Sequence, residues 1–132
     1  MPGEMTGSTT TATAPPLIAV VDDDASFLRS VGRLLRSAGY PVETFGSARQ
    51  LLSSLSAALP RCLLLDVHMP EMSGFQLQER LAAQGHCLPV IFMTAYDTPQ
   101  TREHARKAGS LGLLLKPFGQ EALLQAIRCA VE

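Results

Sequence analysis

The sequence contains no tryptophan, few other aromatics (5% of 132 residues), and only 17% Asp, Glu, Lys and Arg. Typical soluble domains carry about 25% charged residues, so charge is used sparingly here. Lysine is the scarcest of the charged types, two against nine arginines. A formal net charge of −1 leaves no electrostatic footprint for nucleic acid and no polybasic patch for an anionic membrane surface. No apolar run approaches the roughly 20 residues that cross a bilayer, and the N-terminus shows neither half of a secretory signal. The three cysteines (Cys62, Cys87 and Cys129) form no C-x-x-C pair and have no zinc-like spacing to His68, His86 or His104. They are expected to be reduced, mostly buried thiols of a cytosolic protein.

What the sequence does have is apolar substance: 46% of residues, including 20 Leu and 16 Ala. That suits one folded domain. Residues 1–16 are rich in Thr, Gly, Pro and Ala and lack apolar periodicity, which predicts a flexible arm, a natural leader or an expression remnant, ahead of a domain at 17–132. From Leu17 onward short apolar runs alternate with helical patterns. The runs are 17–21, a weaker VETF at 42–45, then 62–65, 89–93 and 112–115. Between them, Phe27, Leu28, Val31, Leu34, Leu35 and Ala38 recur at helical steps up to Gly39. Leu51, Leu52, Leu55 and Leu59 mark a second helix, and Leu77 and Leu81 a third, from about Ser73 to Gly85. Thr98–Pro99 opens a polar fourth helix, and Ala122, Leu123, Leu124, Ile127 and Val131 form the last. Five β–α units predict an α/β fold with a parallel sheet and helices on both faces.

Ligands of such sheets bind at the carboxyl ends of the strands. There the sequence places Asp22, Asp23 and Asp24 after the first run, Asp66 after the third, Thr94 after the fourth and Lys116 after the fifth. Converging carboxylates repel unless a cation lies between them, and oxygen-only ligands favour Mg²⁺. Lys116 offers a point charge and Thr94 a hydroxyl to a phosphoryl group, while Asp66 is the natural nucleophile. Taken singly, each has a plainer reading: a helix cap (Asp24 above all), a strand-end hydroxyl, a solvated lysine. Four strand ends carrying such residues together favour a phosphoryl site.

VVDDD (20–24), LLLDVHMPEMSG (63–74), FMTA (92–95) and KPF (116–118) resemble the response-regulator receiver domain, the CheY-like module of two-component signalling. The resemblance covers about residues 17–131. It implies a doubly wound, flavodoxin-like (βα)5 fold with strand order 2-1-3-4-5. It further implies that Asp66 is the phosphoacceptor, that Thr94 and Lys116 contact the phosphoryl group, and that the Lys116–Pro117 bond is cis. Mg²⁺ would be held by Asp23, Asp66 and the backbone carbonyl of His68, with Asp22 acting mainly through water. The implied donor is a sensor histidine kinase in the cytoplasm, and the domain is a phosphoacceptor assisting its own phosphotransfer and dephosphorylation rather than an enzyme.

MPEMSG, HARKAG and KPFGQEALLQAI are closest to receivers that precede a LuxR-type helix-turn-helix domain. This implies transcription regulation through a further domain, or output through a protein partner or homodimer at the 98–131 face. No direct nucleic-acid or membrane partner is expected of this domain. Two positions depart from the pattern: Leu113 stands where an aromatic switch residue is usual, and Gly112 where an acidic residue is common. Tyr96 is a substitute reporter or simply an exposed loop residue. His68 sits where side chains screen the phosphoryl group. Leu111, Leu113 and Leu115 alternate, as either an apolar partner patch or core. A pseudo-receiver is disfavoured by the complete residue set, and a haloacid-dehalogenase-type phosphatase by His68 in place of a second Asp. A nucleotide site is disfavoured by the lack of a P-loop.

Overall fold

The apolar runs become strands because residues that are apolar at every position need cover on both faces. In the computed structural model, which describes residues 15–55 and 59–132, the strands are β1 (Ile18–Val21), the half-polar β2 (Val42–Phe45), β3 (Cys62–Asp66), β4 (Val90–Thr94) and β5 (Gly112–Leu115). They pair in parallel in the order β2-β1-β3-β4-β5, the doubly wound arrangement expected. Residues 1–14, most of the expected arm, lie outside the described residues. Asp66 and Thr94 prove to be the last residues of their strands rather than the first of the loops.

The helices are α1 (Ala25–Ser37), α2 (Ala48–Ser54), α3 (Gly74–Ala83), α4 (Pro99–Lys107) and α5 (Gln120–Val131). Their starts follow local chemistry. Asp24 accepts the amides of Ser26 and Phe27, Ser73 and Gln76 form a reciprocal capping box, and Thr98 caps a helix begun by Pro99. Helices α1 and α5 cover one sheet face, where Leu28, Val31, Leu35, Leu123 and Ile127 meet Ile18, Val20, Leu64 and Met93. On the other face α2, α3 and α4 pack Leu51, Leu77, Leu81 and Ala105 against Leu63, Leu65 and Phe92. Among the described residues no helix is long and apolar enough to cross a membrane.

Three expectations need correction. Leu59 lies outside α2, which stops at Ser54 with Leu55 as its C-cap, and is exposed; as the residue before Pro60 it is also disfavoured in the helical region. Ala38 is an exposed C-cap, not part of the apolar face, since Gly39 turns the chain with φ 98°. Only Cys62 of the three cysteines is buried, whereas Cys87 and Cys129 are exposed. Burial pushes the Cys62 thiol up to about 12, so it is inert as a nucleophile.

Candidate functional site

Strand alternation positions the carboxylates. Along β1, Ile18 and Val20 face the α1/α5 side, and along β3 Cys62 and Leu64 do the same. Asp22 and Asp66 continue that alternation, one position beyond the Val21–Leu65 pair. The Asp22 amide donates to the Phe45 carbonyl at 3.1 Å and the Val67 amide to the Met93 carbonyl at 2.8 Å. The ladder therefore runs past both acids and fixes their backbones.

Asp22, Asp23 and Asp66 each bring one carboxylate oxygen within 4.8 Å of the others. Asp22 is 1% exposed and Asp66 is buried, while Asp23 opens to solvent. The two oxygens of Asp22 are both engaged. Oδ1 accepts the Asp24 amide at 2.9 Å, and Oδ2 contacts the Lys116 ammonium. Lys116 Nζ lies 3.5 Å from Asp66 Oδ1 and 4.2 Å from the centre of the Phe27 ring. Burial first, and then the charge of Asp22, push the Asp66 carboxyl up to about 6, with Lys116 opposing and Asp23 adding to the rise. One ammonium against three clustered carboxylates leaves an excess of negative charge, and the donor set is oxygen only. Those residues fit a hard divalent cation.

The Lys116 amide donates to the Thr94 carbonyl at 2.7 Å, which holds the residue at the sheet edge beside the cluster; the Lys116–Pro117 bond that follows is cis. The loop after β3 folds back so tightly that a Cβ on Gly74 would lie 2.4 Å from the Asp66 carbonyl oxygen. Only glycine allows that approach. The Gly74 amide closes it with a 3.0 Å bond to the Val67 carbonyl. Glu71, in the same loop, holds φ 71°.

Residues 18–128 match the response regulator receiver domain family. The chain is 41% identical to Nodulation protein W of Bradyrhizobium diazoefficiens over 127 residues, covering 96% of this chain and 56% of that protein. It is 40% identical over 116 residues to the response regulator TodT of Pseudomonas putida, covering 88% and 51%. Among solved structures, Vibrio cholerae chemotaxis protein CheY4 superposes with a TM-score of 0.83 at 30% identity, covering 89% of this chain and 99% of that one. The response regulator StyR gives 0.81 at 45%, covering 89% and 60%. The chain belongs to the response regulator receiver family. It spans about half the length of the curated relatives it matches.

In this receiver domain the structure gathers Asp22, Asp23, Asp66 and Lys116 into one cluster. Thr94 closes the neighbouring strand, where Met93 pairs with Asp66. Its buried hydroxyl donates to the Tyr96 carbonyl at 3.2 Å and accepts the Tyr96 amide at 3.0 Å. Among the described residues no hydrogen bond joins the Thr94 hydroxyl to the Asp66 carboxylate or the Lys116 ammonium. His68 is exposed in the loop after the acceptor strand, and its ring meets Tyr96 edge to face at 5.2 Å. Tyr96 is itself 64% exposed. Leu113 packs against the Phe75–Phe92 core, whereas Leu111 and Leu115 are 57% and 45% exposed. The alternating leucines therefore divide between core and surface.

Sequence reasoning missed Phe27 as a site residue. Its helical spacing reads as core, yet its ring is only half-buried and faces Lys116. It also lines an apolar groove of about 490 Å³ with Val31, Leu34, Pro117 and Phe118. An aromatic three positions after a capping Asp was the available signal.

Proposed function

We propose that this receiver accepts a phosphoryl group on Asp66 from the phosphohistidine of a sensor histidine kinase and passes the change of state to an output. The observation that carries the reading is a buried carboxylate at a strand end, 3.5 Å from the ammonium of Lys116 and clustered with Asp22 and Asp23. A carboxylate oxygen of Asp66 attacks phosphorus in line. The P–N bond to the donor imidazole breaks, its electron pair returns to the ring nitrogen, and an acyl phosphate P–O bond forms. Lys116 neutralises charge spread over the phosphoryl oxygens.

Asp23 and Asp66, with the His68 carbonyl, are the residues that would hold Mg²⁺. When bound, the ion supplies positive charge against the phosphoryl oxygens. Asp22, with both oxygens already engaged, fits the indirect role. Thr94 supplies a hydroxyl that can exchange its Tyr96 partner for a phosphoryl oxygen. His68, two residues beyond the acceptor and in contact with the Tyr96 ring, is the side chain that we assign to govern water entry for the hydrolysis that resets it. The chemistry belongs to a self-assisting phosphoacceptor rather than to an enzyme with a turnover substrate.

Relatives named as response regulators or transcriptional regulatory proteins, such as TdiR of Thauera aromatica, support transcription control as the output; the cytoplasm as its place is part of the proposal. That output would run through a further domain or through a partner or second copy at the 98–131 face. The deciding test is acyl-phosphate labelling with a small-molecule phosphodonor and Mg²⁺. Wild type is expected to label and Asp66→Asn to lose the label entirely. Equal labelling of the variant would overturn the assignment. Metal-dependent beryllofluoride binding separates this reading from a pseudo-receiver, which would bind none.

A further inference from the structure

Lys116 is the cation that meets both Asp22 and Asp66, and a lysine ammonium is a point charge on a flexible stem. With carboxylates alone around it, nothing would hold it between its acidic partners and the position a phosphoryl group takes. Nζ also lies over the face of Phe27, 4.2 Å from ammonium to ring centre. A ring face attracts a cation through its quadrupole without offering a hydrogen-bond acceptor or a charge. The three N–H donors of Lys116 therefore stay available to oxygen.

The ring is itself held from two sides. The Phe27 amide donates to the Asp24 carboxylate at 3.2 Å, fixing the residue in the first turn of α1. Its ring meets Phe118 edge to face, centroids 5.9 Å apart and planes at 87°. Phe118 follows Lys116 by two residues in the same loop, so lysine and ring are tied to each other's supports. Lys116 is 19% exposed, and a cation–aromatic contact so withdrawn from water is at the stronger end of its range.

We infer that Phe27 is a positioning residue for phosphotransfer: its ring face holds the Lys116 ammonium against the acceptor carboxylate. This rests on Asp66 being the phosphoacceptor. The role is electronic as well as steric, which separates it from packing in the apolar groove that the same ring lines.

The experiment measures the rate of acyl-phosphate formation from acetyl phosphate at saturating Mg²⁺, a donor too small to need a docking surface. Phe27→Leu is expected to slow it by about 3- to 30-fold, and Phe27→Trp to restore most of the loss. Replacing Phe27 by mono-, di- and trifluorophenylalanine keeps the shape of the ring while draining its negative face. The rate should fall stepwise along that series while the melting temperature stays level. A flat series overturns the inference even where Phe27→Leu is slow or poorly folded, because it assigns the ring to packing alone. Absence of labelling in the wild type overturns the phosphoacceptor reading together with this one.

Discussion

Strands β3 and β5 are nearly the same in sequence, Cys62-Leu-Leu-Leu against Gly112-Leu-Leu-Leu, yet they live in different surroundings. Every residue of β3 is buried between β1 and β4, with helices on both faces. β5 has one neighbour, none of its residues is fully buried, and Leu115 is 45% exposed. Position in the sheet, not local sequence, decides which leucines hold the fold. The consequence is a division of labour. The strand carrying Asp66 is anchored on all sides, while the strand that leads to Lys116 sits at an edge beside α4. That helix contributes one buried residue, Ala105.

The sharpest way to break the comparison is to make one substitution in both strands. Leu65→Ala should cost about 2–5 kcal/mol, as truncations in a closed core do, and Leu115→Ala should stay within about 0.5 kcal/mol. Equal losses in urea unfolding would remove the distinction.

Next comes the charge at the end of β3. Asp66 ionises near pH 6 in the fold against 3.8 for the free side chain. Its charge is thus disfavoured by folding, and stability should fall as pH rises between about 4 and 6. In the absence of divalent cations Asp66→Asn should stabilise the domain at pH 7 by roughly 1–3 kcal/mol. The gain should vanish below about pH 4, and melting curves across that window decide it. A gain that persists at pH 3 would place its source elsewhere.

Gly74→Ala is expected to cost about 1–3 kcal/mol, because the added carbon meets backbone that cannot swing aside. Slower acyl-phosphate formation should accompany the loss, since the displaced atom belongs to Asp66. A fully stable variant would show that the loop has slack.

The smallest effect belongs to the β5 side. The His104 ring stacks on Phe75 at 3.8 Å and so ties α4 to α3. His104→Ala should cost about 0.5–1 kcal/mol. It should also speed amide exchange in α4 without changing β3, because weakly anchored elements open on their own. Uniform acceleration would mean that α4 and the central strand open together.

The sequence was most informative where one local rule decides the outcome. Continuous apolar runs marked four of the five strands, the weaker VETF marked the other, and Asp24, Ser73 and Thr98 marked helix starts, because buried strands and caps depend on neighbours in the chain. The acids and Lys116 were legible as a group because parallel strands must deliver their ends to one edge. What stayed hidden depends on packing between distant segments. Which of the alternating β5 leucines are covered stayed open, because cover from a second neighbour leaves no local trace. Cys87 and Cys129 were expected inside on residue type alone, and Leu59 extended a helical spacing beyond the Leu55 cap where α2 stops. Phe27 looked like core because the ammonium it faces is contributed from the far end of the chain.

The bonds of Thr94 to the Tyr96 backbone set a threshold. In this arrangement the single hydroxyl proton is already donated to the Tyr96 carbonyl, so a rival oxygen must displace that carbonyl rather than fill a vacancy. A net hydrogen bond is worth about 0.5–1.5 kcal/mol. Under the proposed phosphoacceptor role, a weak or misplaced anion would leave most molecules in this arrangement, and a ligand well aligned with Thr94 would be needed to shift the population. Such a threshold would act as a noise filter at the first step of the proposed signal.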